Sequence, residues 1–382
     1  MQPTQKTTRL TIGVGQSFPI QLDSGFVMFT DIRENIEHEL AGRSRTGTLA
    51  ATIDNVKRTC FELANSPDCS VKIHVNRLNS FVNALDIKEI KRSSHLMDNP
   101  IEFRDESSEI NFHMTLHLFN FGHGFRHPLH QICGCGAWQS MKKGILLLHL
   151  HAPKGFIDAE SLINLSVEKV NDYFQFPASD SSNYGQKINL LRDIILQVAH
   201  CTGARLVELG YASFADFIFD HSSGTQPSAT RLVESLADHF PAFDDRRCLS
   251  SGNEVLFLKK AQIAIAELFQ KLGNALSRII SFEDVYQFTV VCDNVLPCVL
   301  WTLGIIAIPP DLENRINSKQ FLPAGDEEAH LRASAISATE MILKNGRGAF
   351  WAKELGDYLW TLGKEPRFRK VERHATIGTC FY

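Results

Sequence analysis

Between Phe257 and Leu300 the chain reads FLKKAQIAIAELFQKLGNALSRIISFEDVYQFTVVCDNVLPCVL, two apolar helical runs joined by a break. No other stretch constrains the fold as much, because its 3.6-residue repeat fixes two packed helices. The first run predicts a helix from near Leu256 to just before Gly273. Phe257, Ala261, Ala264, Leu268 and Leu272 share its core face. Lys260, Glu267 and Lys271 fall opposite and read as solvated. Lys259 lies at the boundary, where a charge drawn inward needs a partner or an anion. The second run predicts a helix from about Phe282 to Gly304, with Tyr286, Val290, Asp293 and Pro297 on one side. Pro297 cannot donate to the carbonyl of Asp293, which predicts a kink beside that carboxylate. Two readings of Asp293 stay open. One is an N-cap for a helix starting after Asp293 or Asn294; the other is a functional carboxylate in an apolar setting.

At 382 residues the chain can bury a large core, and 44% hydrophobic with 21% charged residues is ordinary for a globular protein. A net charge of −4 argues against a general attraction to nucleic acid. Nine scattered cysteines without a CxxC pair read as reduced thiols. The N-terminus lacks a secretory signal, and the apolar stretch from Phe288 to Ile308 is interrupted by Asp293, Asn294 and Pro297. Together these predict a cytoplasmic protein with no membrane span.

Periodicity predicts helices over 50–64, 78–85, 158–176, 187–201, 228–240, 327–343 and 352–362, and a short one from Leu312. Extended chain is expected over 1–25 and 71–75, and a polar surface loop over 87–109. The expected fold is mainly α, a single large helical domain with a less regular N-terminal third. In it, residues 1–110 pack on a core of 111–382.

The segment NFHMTLHLFNFGHGFRHPLH from Asn111 to His130 starts as a helix and breaks at Gly122 and Gly124. Seven of the fifteen histidines fall between His113 and His151, with Cys133 and Cys135 among them. One reading is a metal-dependent hydrolase built on this segment, although neither HExxH nor a zinc knuckle is present. The other is a pocket wall, with Phe119, Phe121 and Phe125 facing a flat base, Asn120 meeting its edge and Arg126 contacting an anion. Arg332 reads as an ion-pair residue, with phosphate binding as the alternative.

From about Leu232 onward the motifs LVESLADHFPAFDD, FLKKAQIAIAEL, CDNVLPCVLWTLGI, LPAGDEEAHLRASAISATE and DYLWTLGKEPRF…HATIGTCFY occur in order. In these the chain resembles the queuosine salvage family. The resemblance implies a largely helical protein similar to helix-hairpin-helix DNA glycosylases. It also implies hydrolysis of the N-glycosidic bond of queuosine 5′-phosphate, releasing queuine for reuse in tRNA. Lys259 falls on the lysine of the family's KRAQ motif and Asp293 on the aspartate of its DYRVPQ motif, which makes these two the catalytic candidates. Glu267 and Asp245 match family acidic positions and become substrate-binding candidates with Asn120, Phe121, Phe125, Arg126, Arg332 and His374. The family segment LNFCFW reads FNFGHGF here, so Asn120 and Phe121 match while the next three residues do not. A divergent member acting on another nucleotide, or binding without turnover, is therefore the alternative. The implied partner is a small nucleotide, with no cofactor, no metal, no membrane and no direct nucleic-acid contact.

Overall fold

The computed structural model describes residues 19–22, 25–41, 49–93, 102–178, 180, 182–223, 228–276 and 283–382. The expected extended chain before Pro19, the middle of the 87–109 loop and the break after Leu276 lie outside them. The described chain is mainly helical. Its strands form only two-stranded pairings, of which the antiparallel Arg246–Cys248 with Glu254–Leu256 and the parallel Phe321–Leu322 with Ala375–Thr376 matter most for the site.

Helix starts follow the side chains that can satisfy free backbone N–H groups. Thr52 caps the Ile53–Ala64 helix by accepting from Asn55 N–H, and Asp105 caps Glu106–Leu118 through Ser108 N–H. Ser182 caps the long Asn183–Glu208 helix, and Ser228 caps Ala229–His239. The Asp326–Asn345 helix buries Ala329, Ala333, Ser334, Ala335, Ser337 and Ala338. This run of small side chains lets the Ile53–Ala64 helix lie close against it. One contiguous core joins Ile32 near the N-terminus to Tyr382. The boundary expected at residue 110 falls inside the Glu106–Leu118 helix.

Three local expectations are corrected. Residues 87–93 form a helix rather than surface loop, because Ile90 is buried as this turn packs on Ala352–Leu362. The first central helix runs from Lys259 through Gly273 to Leu276, since a mid-helix glycine costs only about 1 kcal/mol. The second is shorter than the apolar run. A 3-10 turn covers Glu283–Gln287, an irregular segment follows, and the α-helix spans only Val295–Thr302. Gln262 explains this: its Oε1 accepts from Thr289 N–H at 2.9 Å and from the Thr289 hydroxyl at 3.1 Å, in place of helical bonds. Pro297 then sits in the first helical turn, where its missing N–H removes no bond and no kink arises.

Candidate active site

The Lys259–Leu276 helix begins at a junction built by Asp245. The Arg246–Leu256 hairpin carries the chain back so that the Asp245 carbonyl accepts from Phe257 N–H (2.8 Å) and Leu258 N–H (3.1 Å). Leu258 takes a left-handed φ of 49°, and Lys259 N–H then donates to Asp245 Oδ2 at 3.2 Å. Arg332 grips the same carboxylate with two N–H groups, Nη2 to Oδ2 at 2.6 Å and Nη1 to Oδ1 at 3.0 Å. Both side chains are fully buried. Asp245 and Arg332 thus fix where Lys259 begins its helix, and neither lines the cavity.

Lys259 Nζ donates to the Asn120 carbonyl (2.9 Å) and to Asn120 Oδ1 (3.1 Å). Burial pulls its ammonium down to about 8, against the support of Asp293. Lys260, expected on the surface, is buried as well. It ties Leu118 O (2.9 Å) to Cys380 O (2.6 Å), because the C-terminal tail covers the side of the helix that the sequence leaves polar.

Asp293 sits just ahead of the Val295–Thr302 helix. Its Oδ1 accepts from Val295 N–H at 2.7 Å, while Oδ2 lies 3.2 Å from His123 Nε2. The N-cap of that helix is Asn294 and makes no side-chain cap bond, so Asp293 braces the turn just ahead of the helix with one oxygen and meets His123 at the cavity with the other. Burial pushes the carboxyl up, but His123, Lys259, Val295 N–H and Arg373 together hold it below its ordinary value. Burial takes His123 itself down to about 4, so its imidazole is neutral at pH 7. The charge that keeps Asp293 ionised there comes from Lys259 and Arg373.

His123 escaped attention in the sequence, although its flanking glycines were a usable signal. Gly122 adopts φ 89°, and a Cβ on Gly124 would lie 2.0 Å from the Thr376 carbonyl. The tail can pass this close only because residue 124 lacks a side chain, and the turn holds His123 at the cavity.

The cavity has a volume of about 130 Å³ and opens to solvent. Trp138, Phe288, Val290, Trp351 and Trp360 supply apolar wall, and of these the sequence pointed only to Val290, on the side of Asp293. At the far end lies Glu267, eight residues from Lys259 and so about 12 Å along the helix. Glu267 is buried rather than solvated. His117 Nε2 lies 2.7 Å from Oε2 and His113 Nδ1 3.3 Å from Oε1. Burial raises the Glu267 carboxyl, but these two imidazoles outweigh it and hold the group far below its usual range.

Asp293, Lys259, Asn120 and Glu267 thus line one cavity. Phe119, Phe121 and Phe125 do not; they point into the core and are fully buried or nearly so. Arg126 lies beside Glu372, Nη1 to Oε1 3.8 Å. His374 is buried behind the site, its carbonyl accepting from Asn294 Nδ2 at 3.0 Å. The histidine-rich segment is dispersed. His149 packs edge-on against Phe103 and Phe112, His151 stacks on Tyr173, and Cys135 meets Ser140. Among the described residues no three His, Cys, Asp or Glu are grouped to hold a metal ion.

Fold and cavity together define a helical protein with one apolar cavity and an ionised carboxylate in its wall. The chain belongs to the queuosine salvage protein family, whose model matches residues 102–382, well upstream of the motifs that carried the resemblance. Proteins named queuosine 5′-phosphate N-glycosylase/hydrolase are similar to it. That of Dictyostelium discoideum is 27% identical over 250 residues, 64% of this chain and 71% of that protein. The Sphaerobacter thermophilus protein is 31% identical over 185 residues, 47% of this chain and 55% of its own. The Schizosaccharomyces pombe protein is 30% identical over 183 residues, 47% of this chain and 50% of its own. The matched region thus spans about half the length of the latter two.

Proposed function

We propose that this chain hydrolyses the N-glycosidic bond of queuosine 5′-phosphate and frees the base queuine for reuse in tRNA. The observation that carries the reading is Asp293, an ionised carboxylate at the wall of an apolar cavity, with one oxygen held by Val295 N–H and the other against the neutral imidazole of His123. As the base departs, positive charge grows on the ribose, and a fixed carboxylate in a poorly solvated site stabilises it strongly. Oδ2 is the atom placed to meet C1′ or an attacking water, since Oδ1 is held by Val295 N–H. Lys259 keeps Asp293 ionised and locks Asn120 beside it. The tryptophan-rich wall receives the flat base, and Glu267 receives the cationic amine of its side chain. Nine free cysteines fit a reducing compartment such as the cytoplasm. Among the described residues no helix is long and apolar enough to cross a membrane.

Chromatographic detection of free queuine from queuosine 5′-phosphate tests the reading directly. A folded wild-type protein that releases none overturns it. The pH profile adds a sharper test. Asp293 must be ionised and Lys259 protonated, and a lysine lowered to about 8 loses its proton as pH rises through that value. The profile of kcat/KM therefore falls on the alkaline side near pH 8, and Lys259→Arg moves this limb upward. Glu267→Gln is expected to cut kcat/KM by about 10-fold or more for the amine-bearing nucleotide. It should act less on an analogue whose base lacks the aminomethyl group. Equal losses on both would remove Glu267 from recognition.

A further inference from the structure

Asn120 touches two other residues of the cavity wall, and together they fix which way its amide points. The Lys259 ammonium can only donate, so the oxygen 3.1 Å from it is Oδ1 and the amide nitrogen faces away. That nitrogen, Nδ2, lies 3.4 Å from His117 Nδ1. An amide nitrogen also only donates, so Nδ1 presents its lone pair and the ring proton sits on Nε2. Nε2 is 2.7 Å from Glu267 Oε2, where its N–H meets a carboxylate. Turning either group round breaks the chain. A flipped amide sets N–H against the ammonium, and the other tautomer sets N–H against N–H. Hydrogen bonds of one polarity therefore link Glu267, His117, Asn120 and Lys259, and end at the ammonium that supports Asp293.

The surroundings hold His117 in that form. Burial keeps its imidazole below the ordinary value, against the pull of Glu267, so the ring is neutral at pH 7. Burial pulls His113 down as well, but Glu109 and Glu267 outweigh it and raise that ring above its ordinary value. His113 is thus the readier of the two to carry charge at one Glu267 oxygen, while His117 stays a neutral donor at the other. Trp138 stacks on the His117 ring, with centroids 6.3 Å apart and planes at 21°. Asn120 N–H donates to the His117 carbonyl at 3.2 Å, which sets the spacing between ring and amide. Hydrogen bonds in such a chain polarise one another, so a carboxylate at one end strengthens the acceptor at the other.

We infer that His117 is a positioning residue for the reaction: with its tautomer set by Glu267, it holds Asn120 Oδ1 on Lys259 and so keeps the ammonium in place for Asp293. The inference rests on Asp293 and Lys259 being the reacting end of the cavity, and it deepens that reading. His117 acts through Asn120 rather than on the reacting atoms. Glu267 then serves both ends of the cavity, as the contact for the base amine and as the anchor of this chain.

Two measurements test this. In the wild-type protein without ligand, the ring-nitrogen NMR shifts of His117 should show a neutral imidazole protonated at Nε2 near pH 7. A proton on Nδ1, or an imidazolium, overturns the chain. The second measurement separates the two ring nitrogens by substitution. His117→Asn keeps an oxygen near the place of Nδ1 that can accept from Asn120. His117→Gln reaches toward Glu267 and leaves Asn120 without its acceptor. Lys259 sets the alkaline limb of the kcat/KM profile, and His117→Gln should move that limb down by about half a pH unit or more. The same variant should lower kcat by about 10-fold with little change in KM. His117→Asn should leave the limb in place and keep most of kcat. Asp293, Arg332, Lys260 and Asp245, which also face Lys259, are untouched by either variant. A limb that stays put in His117→Gln, or moves equally in both variants, overturns the inference. Where His117→Gln fails to fold, the ring-nitrogen shifts decide. Should the protein release no base from queuosine 5′-phosphate, the Lys259 titration followed by carbon NMR replaces the profile. A midpoint lowered in His117→Gln alone then supports the chain while the substrate falls, and an unchanged midpoint in both variants overturns the chain too.

Discussion

Asp293→Asn is expected to abolish release of the free base, lowering turnover by at least about 1000-fold, with the fold intact. The substitution separates the two jobs of this side chain. Asparagine keeps an oxygen where Oδ1 accepts from Val295 N–H, and asparagine and aspartate both make this kind of local turn bond. A residue that merely braced the turn ahead of the Val295–Thr302 helix would therefore tolerate the change with little loss. What asparagine cannot supply is the negative charge on the oxygen that faces the cavity. The charge is held there against burial by Lys259 and Arg373, so removing it also relieves a desolvation cost. The melting temperature should accordingly stay level or rise slightly while activity disappears. Matched melting curves and a single-turnover assay check both halves. Near-normal turnover in the variant would return Asp293 to a structural role.

Much of the helical frame was legible because amphipathic faces repeat locally. The 352–362 helix appears within its expected bounds, and the core face of the Lys259 helix is buried as its spacing requires. What the sequence hid were contacts made by distant segments. A helical wheel places Lys260 and Glu267 on a polar face, yet the tail near Cys380 covers one and the His113–His117 turns cover the other. The run before Asp293 is apolar enough for helix, but the distant side chain of Gln262 takes up the Thr289 N–H and the segment is irregular there. Lys259 and Asp293 were visible as charges in apolar surroundings. His123 was not, since a histidine between two glycines becomes meaningful only once the Thr376 carbonyl is known to pass beside Gly124. The aromatic wall comes from segments around 138, 288, 351 and 360, too far apart for any local pattern to join them.

Asp245→Ala is expected to be the most destabilising change near the site, by about 3–5 kcal/mol, because it leaves the fully buried Arg332 guanidinium without its bidentate partner. Glu328, 3.3 Å from Nη1, compensates only in part. The loss should appear as a fall in melting temperature of roughly 4–6 °C in a chain of this length. Replacing both partners at once, Asp245→Leu with Arg332→Met, should recover a large part of it, since the unpaired buried charge is then gone. The same pair decides how these two residues serve the reaction. Asp245 caps the start of the helix that carries Lys259, so weakening it should lower turnover on phosphorylated and unphosphorylated substrates alike. A phosphate ligand behaves differently and erodes the preference between the two substrates. If the Asp245 variant, assayed cold where it remains folded, lost activity only toward the phosphorylated nucleotide, the buried pair would itself be part of the phosphate site. An even loss places Asp245 and Arg332 as the frame that holds Lys259 against Asn120 and Asp293.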